Sequence, residues 1–70
     1  MYMEKPNVTY SASSFKMIKG EKSYSENIKY ATLDELLEFI DEAKEYKDDG
    51  IVIHTYVNGS ETSSTICNLH

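Results

Sequence analysis

One stretch carries a helix start, a helix period and a helix stop together: residues 32–50, TLDELLEFIDEAKEYKDDG. Glu35 follows Thr32 by three positions, the capping-box spacing in which each side chain satisfies the other residue's free backbone N–H. Ala31 ahead of the cap and Leu36 or Leu37 behind it form the accompanying apolar staple. At the helical period, Leu33, Leu36, Phe39, Ile40 and Ala43 gather on one side as a core-facing stripe. Gly50 stands where such a helix stops.

The other side of that helix sets the electrostatics of the chain. With Asp34 as origin, Glu38, Asp41, Glu42, Glu45, Asp48 and Asp49 fall within about 120° of arc, and Glu35 lies just beyond it. Positions 34–49 hold eight acids against Lys44 and Lys47, whereas the rest of the chain holds four acids and five lysines. The net charge of −5 therefore sits on one helix face. A face stabilised by surface pairs would set a lysine four residues after an acid; none of these acids has one. Glu45, Asp48 and Asp49 also crowd the negative end of the helix dipole, which costs roughly 0.3 kcal/mol or more for each. Charged helix faces are commonly no more than solvated surface, and Asp-Asp-Gly is ordinary turn chemistry. The one-sided, unpaired arrangement is what sets a binding role beside that plain reading.

Seventy residues make one small domain, residues 1–70. A chain this short buries roughly 60% of its unfolded surface. With one cysteine, Cys67, and no cluster of metal ligands, neither disulfide nor zinc can reinforce it. A tight α+β core, a homodimer, or both must do so. Lone Cys67 suits a reducing compartment, and MYMEKPNVTYSASS has no apolar run of signal-peptide or membrane-span length. The expected location is therefore cytoplasmic. Lysines 5, 16, 19, 22 and 29 are scattered and arginine is absent, which argues against direct binding of nucleic acid. Lysine without arginine, with abundant Asn, Ile and Tyr, points to an AT-rich genome such as that of a low-GC bacterium or its phage.

Along the chain, residues 1–6 read as a lead-in ended by Pro6. Positions 7–31 are rich in Thr, Ser, Tyr and Ile, as strands are. Gly20-Glu21 suits a two-residue turn with glycine first, pairing Lys19 with Lys22, Met17 with Tyr24 and Phe15 with Glu26. The apolar parity of the first strand changes between Ala12 and Phe15, and a one-residue bulge at Ser13-Ser14 repairs it. Ala12 then meets Ile28 and Tyr10 meets Tyr30, on the face of Phe15 and Met17. Positions 51–57, IVIHTYV, form the clearest strand, and Asn58-Gly59 is the strongest hairpin signal. That turn sets Val57 opposite Ser60, Thr55 opposite Thr62, Ile53 opposite Ser64 and Ile51 opposite Ile66, on the face that meets the helix. Ile40 and Ile53 are expected to be buried between helix and sheet. The fold class is α+β, in the order β-β-α-β-β: two hairpins in an antiparallel sheet, with one amphipathic helix packed on one face.

Catalytic chemistry finds little footing. Hairpin pairing separates Cys67 from His54 by about 13 Å along the strand, outside hydrogen-bond reach. Ser63 faces His54 without an orienting acid. His54 and His70 lack the spacing of metal ligands, and the acids do not form a calcium loop. No glycine-rich phosphate loop is present. No enzyme activity, metal or cofactor is expected. Six tyrosines are many for this length. Tyr10, Tyr24 and Tyr30 suit the core, Tyr2 has no assigned place, and Tyr46 and Tyr56 suit a protein interface.

An unpaired acidic stripe without catalytic groups implies a DNA mimic. Asp34 to Asp49 spans about 22 Å, with one carboxylate per roughly 3 Å, near the phosphate density of a single strand. The partner-binding residues are then Asp34, Glu38, Asp41, Glu42, Glu45, Asp48 and Asp49, with Tyr46 and Tyr56. In length, acidity and the DELLEFIDEAKEYKDD stretch, the chain resembles the small early proteins by which bacteriophages disable host factors. In particular it resembles phage DNA-mimic inhibitors of the bacterial nucleoid protein HU. That resemblance implies a homodimer occupying the DNA-binding cleft of HU in the host cytoplasm. The alternative is an anti-defence, anti-CRISPR-like interaction module that binds through a tyrosine-bearing sheet face or a sheet edge.

Overall fold

The computed structural model describes residues 5–69, so Tyr2 and His70 fall outside it. Three strands, β1 (Val8–Ile18), β2 (Glu21–Tyr24) and β3 (Ile28–Tyr30), precede helix α1 (Leu33–Glu45). Strands β4 (Gly50–Val57) and β5 (Ser60–Asn68) follow it. The class is α+β: one helix and one antiparallel five-stranded sheet. The order β-β-α-β-β is corrected, because the return strand of the first hairpin is broken in two. The sheet runs β2-β1-β4-β5, and β3 also pairs with β1.

The first turn is Lys19-Gly20, with φ of 53° and 83°, rather than Gly20-Glu21. Left-handed backbone at both central residues matches the twist of the flanking strands. It pairs Met17 with Lys22 and Phe15 with Tyr24, two positions from the expected register. The irregularity also moves. β1 stays regular against β4 from Val8 to Phe15, while Glu26 and Asn27 on the return side stand opposite Ser13 alone. Ser25 holds this break. Its N–H donates to the Ser14 carbonyl at 2.8 Å, and its Oγ accepts from the Ser14 N–H at 2.9 Å. Ala12 pairs with Ile28 and Tyr10 with Tyr30, as the sequence implies. By strand alternation, though, these residues lie on the face opposite Phe15 and Met17.

Helix α1 begins as its sequence indicates, with Thr32 Oγ1 accepting from the Glu35 N–H at 3.2 Å. It stops earlier than Gly50. Lys47 turns into left-handed backbone at φ 58°. The Asp48 N–H then reaches the Ala43 carbonyl at 3.0 Å and the Lys47 N–H reaches Lys44 at 3.1 Å, the bond pair that closes a helix on such a residue. Gly50 has a different task. A Cβ there would overlap the Phe15 ring and approach the Cys67 carbonyl oxygen to 2.8 Å. The Phe15 ring lies across the strand at this point, 5.7 Å from the Tyr24 ring and beneath the Lys22 ammonium at 4.8 Å.

The buried apolar residues are Ala12, Phe15, Leu36, Ala43 and Ile51. Leu36 and Ala43 bring α1 onto the face of Ala12 and Ile51, and Phe39 meets Tyr30 with ring centroids 5.5 Å apart. Ile40 and Ile53 are only half-buried, so the expected contact between them is not the centre of the core. The second hairpin turns at Asn58-Gly59 as expected, with φ of 51° and 84°. Its register shifts between Thr55 and Tyr56, so Thr55 faces Ser63, Ile53 faces Thr65 and Ile51 faces Cys67. Thr62, Ser64 and Ile66 thereby turn away from the helix face.

Candidate acidic binding surface

An amphipathic helix with its apolar stripe on the sheet must point its remaining side chains at water. Asp34, Glu35, Glu38, Asp41, Glu42 and Glu45 are all exposed on α1. Among the described residues the ion pairs are Lys16–Asp48 and His54–Glu61, and neither involves an acid of this helix. The ridge from Asp34 to Glu45 is therefore about 17 Å long. Its charge density remains one carboxylate per roughly 3 Å, close to one per 3.4 Å along a nucleic-acid strand.

Asp48 and Asp49 do not belong to that ridge. With the helix closed at Lys47, both sit in the link to β4 and serve the fold. Asp49 Oδ2 accepts from the Met17 N–H at 2.6 Å, and the Asp49 N–H donates to the Phe15 carbonyl at 2.9 Å. Asp48 Oδ1 lies 3.8 Å from Lys16 Nζ with its side chain 13% exposed. Their carboxylates engage the Met17 N–H and the Lys16 ammonium of β1.

The two interface tyrosines separate as well. Tyr46 caps the helix C-terminus and is 70% exposed. It lines a cleft of about 280 Å³ with Ile28, Tyr30, Phe39, Glu42 and Asp48. Tyr56 is half-buried, and its hydroxyl lies 3.3 Å from Ser11 Oγ. A second cleft of about 380 Å³ gathers Tyr10, Tyr30, Tyr56 and Lys29 at the turn end of the sheet. Burial, then the Glu42 and Glu35 carboxylates, hold the Tyr30 phenol above its ordinary value.

The shifted β4–β5 register also rearranges the nucleophile candidates. Cys67 now pairs with Ile51 and Ser63 with Thr55, on the face opposite His54. Ser64 and Ser11 are the residues that flank His54. Sequence reasoning missed the acid beside it. Glu61 Oε1 lies 2.9 Å from His54 Nδ1, an ion pair when the ring is protonated. The approach is one of distance only, since this buried nitrogen makes no directed hydrogen bond. Neither cleft is lined by His54, so the Glu–His contact reads as a cross-strand pair flanking the Thr55/Tyr56 shift. Among the described residues no group of His, Cys, Asp and Glu side chains is arranged to hold a metal ion. None of their helices is long and apolar enough to cross a membrane.

No family model matches the chain, and neither a characterised protein nor a solved structure matches it.

Proposed function

We propose that this protein is a non-enzymatic inhibitor that mimics DNA, presenting the acidic ridge of α1 to the DNA-binding site of a basic host protein. The observation that carries the reading is the ridge itself: six exposed carboxylates on one helix, none ion-paired among the described residues. Asp34, Glu38, Asp41, Glu42 and Glu45 stand in for phosphates, and Tyr46 supplies an aromatic contact at the end of the row. Asp48, Asp49 and Tyr56 leave the set because the fold employs them. The proposed setting is the cytoplasm of a bacterium taken over by a phage. HU is the partner to try first, because the likeness in length, acidity and the helix stretch points to it.

The test replaces Glu38, Asp41 and Glu45 by their amides, which keeps shape and removes three charges from the ridge. Binding to HU at low salt should fall more than tenfold, and the remaining affinity should depend less steeply on salt. Amide substitution of Glu4, Glu21 and Glu61, outside residues 34–49 of the sequence, serves as the control. Equal binding by the two triple variants would remove the mimicry reading. The rival is an anti-defence interaction module, and the exposure of Tyr46 (70%) and Tyr24 (54%) is the observation in its favour. Its apolar contact would keep its affinity as salt is raised.

A further inference from the structure

The two edges of the sheet are built differently. One is broken into β2 and β3, four and three residues long, with the Glu26-Asn27 bulge between them. It carries Glu21, Lys22 and Lys29. Short strands, charges and bulges are the devices by which sheets keep an edge from pairing. The other edge is β5, a run of nine residues. Its one charge, Glu61, and its register shift both lie at the turn end. From Thr62 to Asn68 the side chains are Thr, Ser, Ser, Thr, Ile, Cys and Asn. The helix does not cover this edge either: α1 touches β1, β3 and β4 but not β5. Phe39 faces β3, and on the opposite flank of α1, toward β5, Leu33 and Leu37 are 53% and 48% exposed.

We propose that β5 is the surface at which two copies of this chain join, edge to edge and antiparallel, into one continuous sheet. Charge is the first reason for a second copy as the occupant. Two chains of net charge −5 repel, and Thr62–Asn68 is a strip where they approach without bringing like charges together. Self-sufficiency is the second. With five buried apolar residues among those described and a Cα radius of gyration of 13.9 Å, against about 11 Å for a compact chain of this length, the fold needs support whenever it is made. The partner always made with it is another copy. Symmetry is the third, since antiparallel pairing of a strand with itself closes about a two-fold axis and leaves no free edge there. The paired edge, Thr62–Asn68, is about 24 Å long and narrow, so its area falls at the low end for specific interfaces and the expected dissociation constant is micromolar.

That two-fold axis runs normal to the sheet and puts both helices on the same face. Helix α1 lies over β1, flanked by β3 and β4, so at about 4.8 Å per strand the two helix axes lie ~24 Å apart across β1-β4-β5-β5-β4-β1. Subtracting a helix diameter of ~10 Å leaves a trough of ~14 Å between the two helices, near the ~12 Å major-groove width of B-DNA. On the mimicry reading, on which this last step rests, the dimer supplies the second phosphate row that one helix lacks.

The experiment is sedimentation equilibrium from about 1 to 300 µM, with no basic protein present, so that its outcome is independent of mimicry. The wild-type chain should dimerise. Thr65→Lys and Thr65→Glu, at the middle of Thr62–Asn68, should each weaken self-association at least tenfold while circular dichroism shows the fold retained. An equimolar mixture of the two should restore the dimer, because opposite charges then meet across the edge; this holds even where one variant alone folds poorly. The Glu38, Asp41 and Glu45 amide variant should dimerise at least as tightly as the wild type, since its chains repel less, whether or not it binds a basic protein. A wild-type chain monomeric throughout would leave the edge to an extended segment of another protein and overturn the proposal. Variants that dimerise like the wild type, or a mixture that stays dissociated, would overturn it as well.

Discussion

Replacing Gly50 by alanine tests the packing around Phe15 most directly. The added methyl would occupy space held by the Phe15 ring and come within 2.8 Å of the Cys67 carbonyl oxygen, a backbone atom that cannot step aside. Phe15, at 3% exposure, has to leave. Its departure forfeits about 1.5–3 kcal/mol of burial and about 0.5–1.5 kcal/mol from the Tyr24 ring contact. The expected loss is therefore about 2–4 kcal/mol, much of what a domain of this size has in total. Urea denaturation followed by circular dichroism, with sulfate added to keep the variant folded, reads the loss. The discriminating measurement is the double-mutant cycle with Phe15→Leu. The smaller side chain removes the ring atoms that the methyl strikes. Gly50→Ala should therefore cost at least about 1 kcal/mol less in the Phe15→Leu background than in the wild type. If Gly50 were instead a helix terminator, alanine would cost about 1 kcal/mol with or without the ring. Additive losses within about 0.5 kcal/mol would refute the close-approach account.

Lys47 holds the left-handed helix stop without being glycine, so Lys47→Gly should stabilise by roughly 0.5–1 kcal/mol. The matching rise in Tm is about 2–8 °C, and an unchanged or lower Tm would place the helix end elsewhere. Tyr30 gives a pH dependence of definite sign. Its folded value is raised by burial and by Glu42 and Glu35, so the unfolded chain loses the phenolic proton first. Its contribution is complete below about pH 10 and is lost as pH climbs through the raised folded value. Chemical denaturation from about pH 8 to 11 should show this decline, and Glu42→Gln should lessen it; a decline unaffected by Tyr30→Phe would exclude the phenol as its source.

What the chain declares by itself is whatever is settled within four or five residues. Thr32 caps Glu35 because side chain and amide are three positions apart, and Asn58-Gly59 turns because both residues tolerate positive φ. The acids of residues 34–45 face water because the apolar positions between them share the helical period. The pairings of Tyr10 with Tyr30 and Ala12 with Ile28 agree with the sequence reading because two differences cancel: the turn shifts the register by two positions, and the extra residue lies on the return strand instead of β1. Parity could not say which strand held it. Ser25, bonded to Ser14 from across the sheet, placed it on the return strand and turned Phe15 to the opposite face. The same limit governs the site. Helical arithmetic carries Asp48 and Asp49 along with Glu45, because nothing local forbids another turn. Only the docked β1 offers the Met17 N–H, the Phe15 carbonyl and the Lys16 ammonium, and only with those partners in place is it more favourable for the helix to close on a strained lysine. Gly50 was conspicuous in the sequence as a breaker of structure, but its use is set by a ring thirty-five positions earlier that arrives when the sheet forms.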